Sequence, residues 1–312
     1  MTEKTGSEAA PLAVFGSVNV DIVCRAERLP RPGETVHADS SAITLGGKGA
    51  NQAAAIAKLG RRVELAGRTG TDVLATLARE KLASFGVGLA HLVPDAQTPT
   101  GIALIGIDRE GQNSIMVSGG ANMAIDAAQT AALASLFAAA PVLLLQLEIP
   151  LAAVLAAAQA ARAGGAKVIL DPAPACALPD EAFRLADIMT PNETETEMLV
   201  GLRPTSPEDA AQAAERLLGR GLGTAIIKLG ARGVYYRSGA TAGFVPPFPV
   251  TAIDSVAAGD SFNGGLAFAL ARGDALADAV RFAAACGALA TTKAGASDAA
   301  PLLAEVEALL RG

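Results

Sequence analysis

The sequence predicts a doubly wound, Rossmann-like α/β fold: a mostly parallel sheet with helices on both faces and a small β-sheet lid. Three observations predict it. Short apolar runs alternate with longer Ala-rich helical patterns along almost the whole chain. Those apolar runs are continuous rather than alternating, as strands buried on both faces require. Two further segments break the rhythm and carry turn signals between short β-prone runs. At 312 residues and 51% hydrophobic, the chain is long enough to bury a large core as one domain.

The elements follow in order. Residues 1–10, "MTEKTGSEAA", are polar and predict a disordered tail with no signal-peptide core, leaving 11–312 as a single domain. "LAVFGSV" reads as the first strand, "ANQAAAIAKLG" as a helix, "VELAGRTG" as a strand and "DVLATLAREKLASFG" as a helix. Between Ala132 and Ala161 an Ala-rich stretch suggests a membrane span. Pro141, Gln146, Glu148 and Pro150 cut it below the roughly 20 apolar residues that a spanning helix needs, so it reads as helix, buried strand "VLLLQ" and helix. "KVILDPAPA", "DIMTPN" and "TAIIKLG" continue the strands. The excursions at about 21–47 and 98–122 lack helical periodicity and read as hairpins that pair with each other over the carboxyl edge of the sheet, where open α/β folds bind ligands.

Charge and side-chain chemistry narrow the function. A net charge of -6 without any Lys/Arg run excludes a phosphate-backbone partner and favours a small molecule. Cys24, Cys176 and Cys286 are scattered, so neither a disulfide framework nor a zinc site is expected, and a reducing cytoplasm is the default. With only His37 and His91, His-rich metal chemistry is excluded. The first strand is not followed by G-x-G-x-x-G, which argues against a nicotinamide-dependent dehydrogenase.

The polar residues fall at strand ends and helix starts. "GSVNVD" puts Asn19 and Asp21 on one face of an extended segment, suited to a polyol, although such residues also form turns. In "LGGKGANQAAA", Gly46, Gly47 and Gly49 bare backbone N–H groups before a helix carrying Asn51; the spacing is not that of a Walker A loop. Glu148 in "LQLEIP" and Asp171 in "DPAPA" end two strands. Asn192 and Glu195 in "TPNETETEMLVG" read equally as ligands or as a capping box, and "KLGARGV" as a phosphate-approaching loop or a hairpin turn. In "DSVAAGDSFNGG", Asp260 lies in the first turn of a helix, either as a cap or as an acid placed where free N–H groups attract a phosphate.

Taken in order, "GSVNVD", "GGKGANQA", "LQLEIP", "PAPA", "TPNETE", "LGARGV" and "AAGDSFNGG" resemble the ribokinase family of sugar kinases across nearly the whole chain. The resemblance implies ATP-dependent phosphorylation of the primary 5-hydroxyl of D-ribose. It implies Asp260 as catalytic base, with Ala257, Ala258 and Gly259 as an anion hole. Asn19, Asp21, Gly47, Lys48, Gly49, Asn51 and Glu148 match sugar-binding positions. Asn192 and Glu195 match the pair near hydrated Mg²⁺, and Lys228, Gly230, Arg232 and Gly233 the nucleotide loop, with Ala258 and Gly259 also facing the nucleotide. Asp254, Val256, Ala290, Lys293, Gly295 and Ala299 match a monovalent cation (K⁺) site; Asp254 lies six residues before the base, and "KAGAS" reads as a Gly-rich turn expected to supply backbone carbonyls. A cytoplasmic homodimer joined through the lid strands is implied too.

Three positions depart from that pattern: Ala284 where His is common beside the adenine, Lys228 where Thr is common, and Asp171 where Asn is expected. They imply looser base contacts, stronger phosphate contacts and added negative charge. The remaining alternatives are a kinase of the same family for another small sugar or a nucleoside, and a non-catalytic sugar-binding protein, which has no need of Asp260.

Overall fold

The structure, a computed structural model, describes residues 10–312, so the tail expected over residues 1–10 lies outside the described residues except for Ala10. In chain order the strands are β1 (Leu12–Phe15), β2 (Asn19–Arg25), β3 (Ser40–Gly46), β4 (Val63–Thr69), β5 (Leu92–Pro94), β6 (Gly101–Ile107) and β7 (Asn113–Ser118). They continue with β8 (Val142–Leu145), β9 (Lys167–Leu170), β10 (Ile188–Met189), β11 (Thr224–Lys228), β12 (Val234–Ser238) and β13 (Thr241–Val245). The helices are α1 (Lys48–Lys58), α2 (Val73–Ser84), α3 (Ala127–Ala132), α4 (Ala134–Ala139), α5 (Leu151–Ala163) and α6 (Asp180–Leu185). After these come α7 (Glu193–Val200), α8 (Pro207–Gly219), α9 (Ala258–Arg272), α10 (Leu276–Ala290) and α11 (Leu303–Arg311).

The large sheet has nine strands in the order β13-β12-β11-β10-β9-β8-β1-β4-β5. Every neighbouring pair is parallel except β11 with β12 and β12 with β13. From β1 the chain winds outward through β4 to β5, then returns to the other side of β1 and continues through β8. The strand order therefore reverses between β1 and β8, and a crevice opens beyond their carboxyl ends, as topology requires of such sheets.

Period-two alternation divides the core. Leu12 and Val14 face one apolar layer, with Ala50 and Ile56 of α1, Leu82 of α2, Leu266 of α9, Phe282 of α10 and Val306 of α11. Ala13 and Phe15 face the other, with Phe137 of α4, Val154 of α5, Phe183 of α6, Leu199 of α7 and Leu217 of α8. Phe15 and Phe137 pack at 5.0 Å between ring centroids. Each buried side chain of this size contributes about 1.5–3 kcal/mol, so the two layers fix the strand ends rigidly.

The two excursions form the four-stranded sheet β3-β2-β6-β7. Each is an antiparallel hairpin, and the hairpins join through parallel β2 and β6, from Asn19↔Gly101 to Arg25↔Ile107. This sheet begins two residues earlier than the sequence suggests, because "LAVFGSV" is not one strand. β1 ends at Phe15, and the chain leaves the large sheet at Val18, whose N–H donates to Asn122 Oδ1 (2.9 Å) while Asn122 Nδ2 donates to its carbonyl (3.1 Å).

Candidate active site

Two close backbone approaches build the crevice floor. Gly47 precedes α1 at φ 89°, and a Cβ there would stand 2.7 Å from the Asn19 nitrogen; on Gly49 it would stand 2.6 Å from the Gly16 carbonyl carbon. Only glycine lets the α1 start lie this close to the end of β1. Glu148, just past β8, closes the junction: Ser17 Oγ donates to its Oε2 at 2.5 Å and the Lys48 backbone N–H at 3.0 Å. Asn122 Nδ2 donates to Asn19 Oδ1 at 2.7 Å, which orients that amide.

Above the floor stands the start of α9. Ala257 takes a left-handed conformation, φ 55°, and is the one non-glycine residue with positive φ among the described residues. A side chain held there costs of order 1 kcal/mol or more, and such strain clusters where function demands a fixed backbone. The first N–H groups of α9 have no intrahelical acceptor, and the helix dipole adds positive character. Asp260 sits in that turn, buried. Its Oδ2 accepts from Asn51 Nδ2 and its Oδ1 from Gln52 Nε2, both at 3.1 Å. Behind these, Ser297 Oγ donates to Asn51 Oδ1 at 2.6 Å and Gln146 Nε2 to Gln52 Oε1 at 2.6 Å.

Charge is concentrated here. Burial pushes the Asp260 carboxyl up to about 6; Lys48 pulls it down, Asp171 pushes it up, and the Asn51 and Gln52 donors oppose the rise. Asp21 also rises to about 6, chiefly by burial and then by the nearby charges of Glu148 and Asp260. Burial works against the Lys48 ammonium, yet Asp260, Asp171, Glu148 and Glu195 outweigh it and hold it above the ordinary lysine range. The cluster is a cation ringed by carboxylates.

The far side of the crevice is built by α7 and β11. Asn192 caps α7 through a full capping box: its Oδ1 accepts from the Glu195 N–H at 2.9 Å, and its own N–H donates to Glu195 Oε2 at 2.7 Å. Glu195 is buried, and its carboxyl is raised by burial, against which Lys228 works. Lys228 Nζ lies 3.1 Å from Asp171 Oδ1 and 3.5 Å from where a Cβ on Gly259 would stand. Asp254 lies in the loop before α9, its Oδ1 accepting from the Val256 N–H (3.0 Å) and its Oδ2 from the Gly295 N–H (3.2 Å).

Residues 9–303 match the pfkB family of carbohydrate kinases. The chain belongs to this family. It is similar to the ribokinase of Haemophilus influenzae, with 39% identity over 290 residues, 93% of this chain and 95% of that one. It is likewise similar to the ribokinase of Staphylococcus aureus, 37% identical over 297 residues, covering 95% and 98%. The structure of Arabidopsis thaliana ribokinase complexed with ribose and ATP superposes with a TM-score of 0.91 at 34% identity, over 97% of this chain and 99% of that one.

Within this pfkB kinase, the polar groups expected at the sugar, Asn19, Asp21, Lys48, Asn51 and Glu148, converge with Gly47 and Gly49 near Asp260. Lys228, the last residue of β11, turns its side chain into the buried network, whereas Arg232 turns outward to Glu193 (2.9 Å) beside Gly230, and Gly233 abuts the β13 carbonyl of Val245. Of the expected cation-site positions, Asp254, Val256 and Gly295 meet directly; the Lys293 side chain pairs with Glu305 on α11 at 2.7 Å, and Ala290 and Ala299 are buried. Ala284 packs against the α9–α10 layer. The sequence reading missed Ser17, Gln52, Asn122 and Gln146. One signal for Gln52 was available: two consecutive amides, Asn51 and Gln52, interrupt an otherwise Ala-rich buried helix.

Proposed function

We propose that this pfkB kinase uses ATP to phosphorylate the primary 5-hydroxyl of D-ribose, giving D-ribose 5-phosphate and ADP. The observation that carries the reading is the placement of Asp260 beside the strained Ala257 turn at the start of α9, within reach of the charged pocket. The sugar lies against Asn19, Asp21, Gly47, Lys48, Gly49, Asn51 and Glu148. Asp260 orients the attacking hydroxyl and takes its proton late, because a loose transition state needs little early deprotonation. The N–H groups of Ala257, Ala258 and Gly259 meet the charge on the transferred phosphoryl oxygens. Residues 11–312 act as a single kinase domain, with the four-stranded sheet as a lid that excludes water.

The Mg²⁺ that accompanies ATP neutralises phosphate charge. Among the described residues no group of three or more His, Cys, Asp or Glu is placed to hold a metal ion directly. The donor set fits Mg²⁺ held through water: each Glu195 oxygen already accepts one bond from Asn192 and keeps a lone pair, and Mg²⁺ retains several waters. For K⁺ the donors are the Asp254 carboxylate and carbonyls near Ala290, at the end of α10, and near Lys293, Gly295 and Ala299 in the segment after it, a hard oxygen set. Lys228, Gly230, Arg232 and Gly233 border the nucleotide. The setting is cytoplasmic, and two copies pair through their lids. No helix among the described residues is long and apolar enough to cross a membrane.

The test is ADP release with D-ribose, 2-deoxy-D-ribose, D-fructose and adenosine. Highest kcat/KM with D-ribose supports the reading. Preference for another member by tenfold or more, about 1.4 kcal/mol in transition-state binding, replaces ribose as substrate. Binding without ADP release favours a non-catalytic sugar binder.

A further inference from the structure

Two of the residues that depart from the family pattern, Asp171 and Lys228, form one ion pair in a polar network that circles the start of α9. Its centre is Gln52, a fully buried amide on α1. The single Nε2 of Gln52 donates to two carboxylates, Asp260 Oδ1 and Asp171 Oδ2, each at 3.1 Å. Its Oε1 accepts from Gln146, so the amide orientation is settled: turned over, Oε1 would face both carboxylates. Asp171 then uses its other oxygen for Lys228 Nζ at 3.1 Å. Lys228 lies beside Gly259, the neighbour of Asp260, so the ring closes on the helix from which it began.

We propose that Asp171 is a positioning residue for phosphoryl transfer, holding Gln52 against Asp260 with one carboxylate oxygen and Lys228 beside Gly259 with the other. The proposal rests on the reading of Asp260 as the base. Nothing requires Asp171 to touch substrate. An unpaired carboxylate at this depth is strongly disfavoured, and Lys228 offsets that cost from the side where phosphate charge arrives. The same residue thus fixes the base on one flank of the anion hole and a cation on the other. The charged groups facing Asp260 are Lys48 on α1, Asp21 on β2 and Asp171 beyond β9, with Lys228 of β11 behind Asp171.

The experiment compares Asp171→Asn, Lys228→Met and Asp171→Asn/Lys228→Met in the full chain, following kcat, both KM values and the pH profile of kcat. Wild-type turnover is measured first. If D-ribose is not turned over, the functional reading fails by itself, and the sugar that the wild type does use carries the comparison. Each single variant is expected to lower kcat by about tenfold or more while the sugar KM stays within about twofold. The acid limb of kcat moves to lower pH in Asp171→Asn, which removes a negative charge facing the base. In Lys228→Met it moves to higher pH, since that negative charge is left uncompensated. A residue that merely supports the fold moves neither limb, or both alike. Should Lys228→Met fail to fold, the double variant, which removes both charges, is expected to fold and to share the downward shift of Asp171→Asn. Unchanged kcat in Asp171→Asn, or acid limbs that do not move as stated, overturns the proposal.

Discussion

Asp260 is buried, yet several of its neighbours favour its charged form. Burial alone makes it reluctant to ionise, and the donors Asn51 and Gln52 with the Lys48 ammonium return part of the charged form. As the proposed proton acceptor it must be ionised, so protonation as the pH falls through about 6 should remove activity, and turnover should decline on the acid side of that value. Asp260→Asn is expected to keep sugar binding by calorimetry while turnover drops by about 10²-fold or more, the usual cost of losing a positioned acid–base group. Near-normal turnover in that variant would contradict its assignment. The residues of the proposed site could be singled out in the sequence because they sit in motifs: an acid after Ala-Ala-Gly at a helix start, or an amide and an acid two apart on a strand. Asn122 and Gln146 were not, since a lone buried amide acquires meaning only from a partner distant in the chain. Asn122 is 103 residues from the Asn19 that it orients.

At the scale of elements, the capping box of α7 and its proposed role near the phosphates use the same two side chains. They can be separated chemically. Glutamine can keep the backbone half of the box by accepting from the Asn192 N–H, although its NH2 then faces Asn192 Nδ2, so Glu195→Gln should lower the melting temperature only slightly while clearly raising the Mg²⁺ concentration needed for half-maximal rate. A fall in melting temperature with an unaltered Mg²⁺ requirement would make Glu195 a cap and nothing more. The loop bearing Asp254 gives a second element-scale prediction. At fixed ionic strength, K⁺ should support faster turnover than Na⁺ or a bulky organic cation, and Asp254→Ala should lose the difference. Screening cannot distinguish monovalent cations at equal ionic strength, so equal wild-type rates in all three salts would remove K⁺ from the account. Strand and helix types were readable from continuous apolar runs and Ala-rich periods. Their limits were less so: nothing local in "LAVFGSV" announces that the chain changes sheets at Val18, because Asn122, in the turn just past β7, pairs with both backbone groups of Val18.

At the scale of the molecule, the two irregular segments foreshadowed the small sheet, and their pairing followed from both leaving the same edge. What the single chain leaves open to water is its apolar surface: Ile43, Leu104 and Met116 lie in register on one face, and Ile115 and Val117 on the other. Covering such a patch is the physical reason for proposing pairing between two lids. Met116→Glu should shift the sedimentation coefficient toward a monomer at micromolar concentration; an unchanged dimer would place the interface elsewhere. The fold, the kinase family and the gathering of polar groups at the β1–β8 switch all point to one central claim, the transfer of a phosphoryl group to the sugar oxygen presented to Asp260. Phosphorus NMR of the product formed from ATP and D-ribose tests it most directly. The expected product is a single sugar monoester whose phosphorus couples to the two hydrogens on C5, formed in step with ADP. A phosphate on C1, or ADP appearing with inorganic phosphate and no sugar ester, would contradict it.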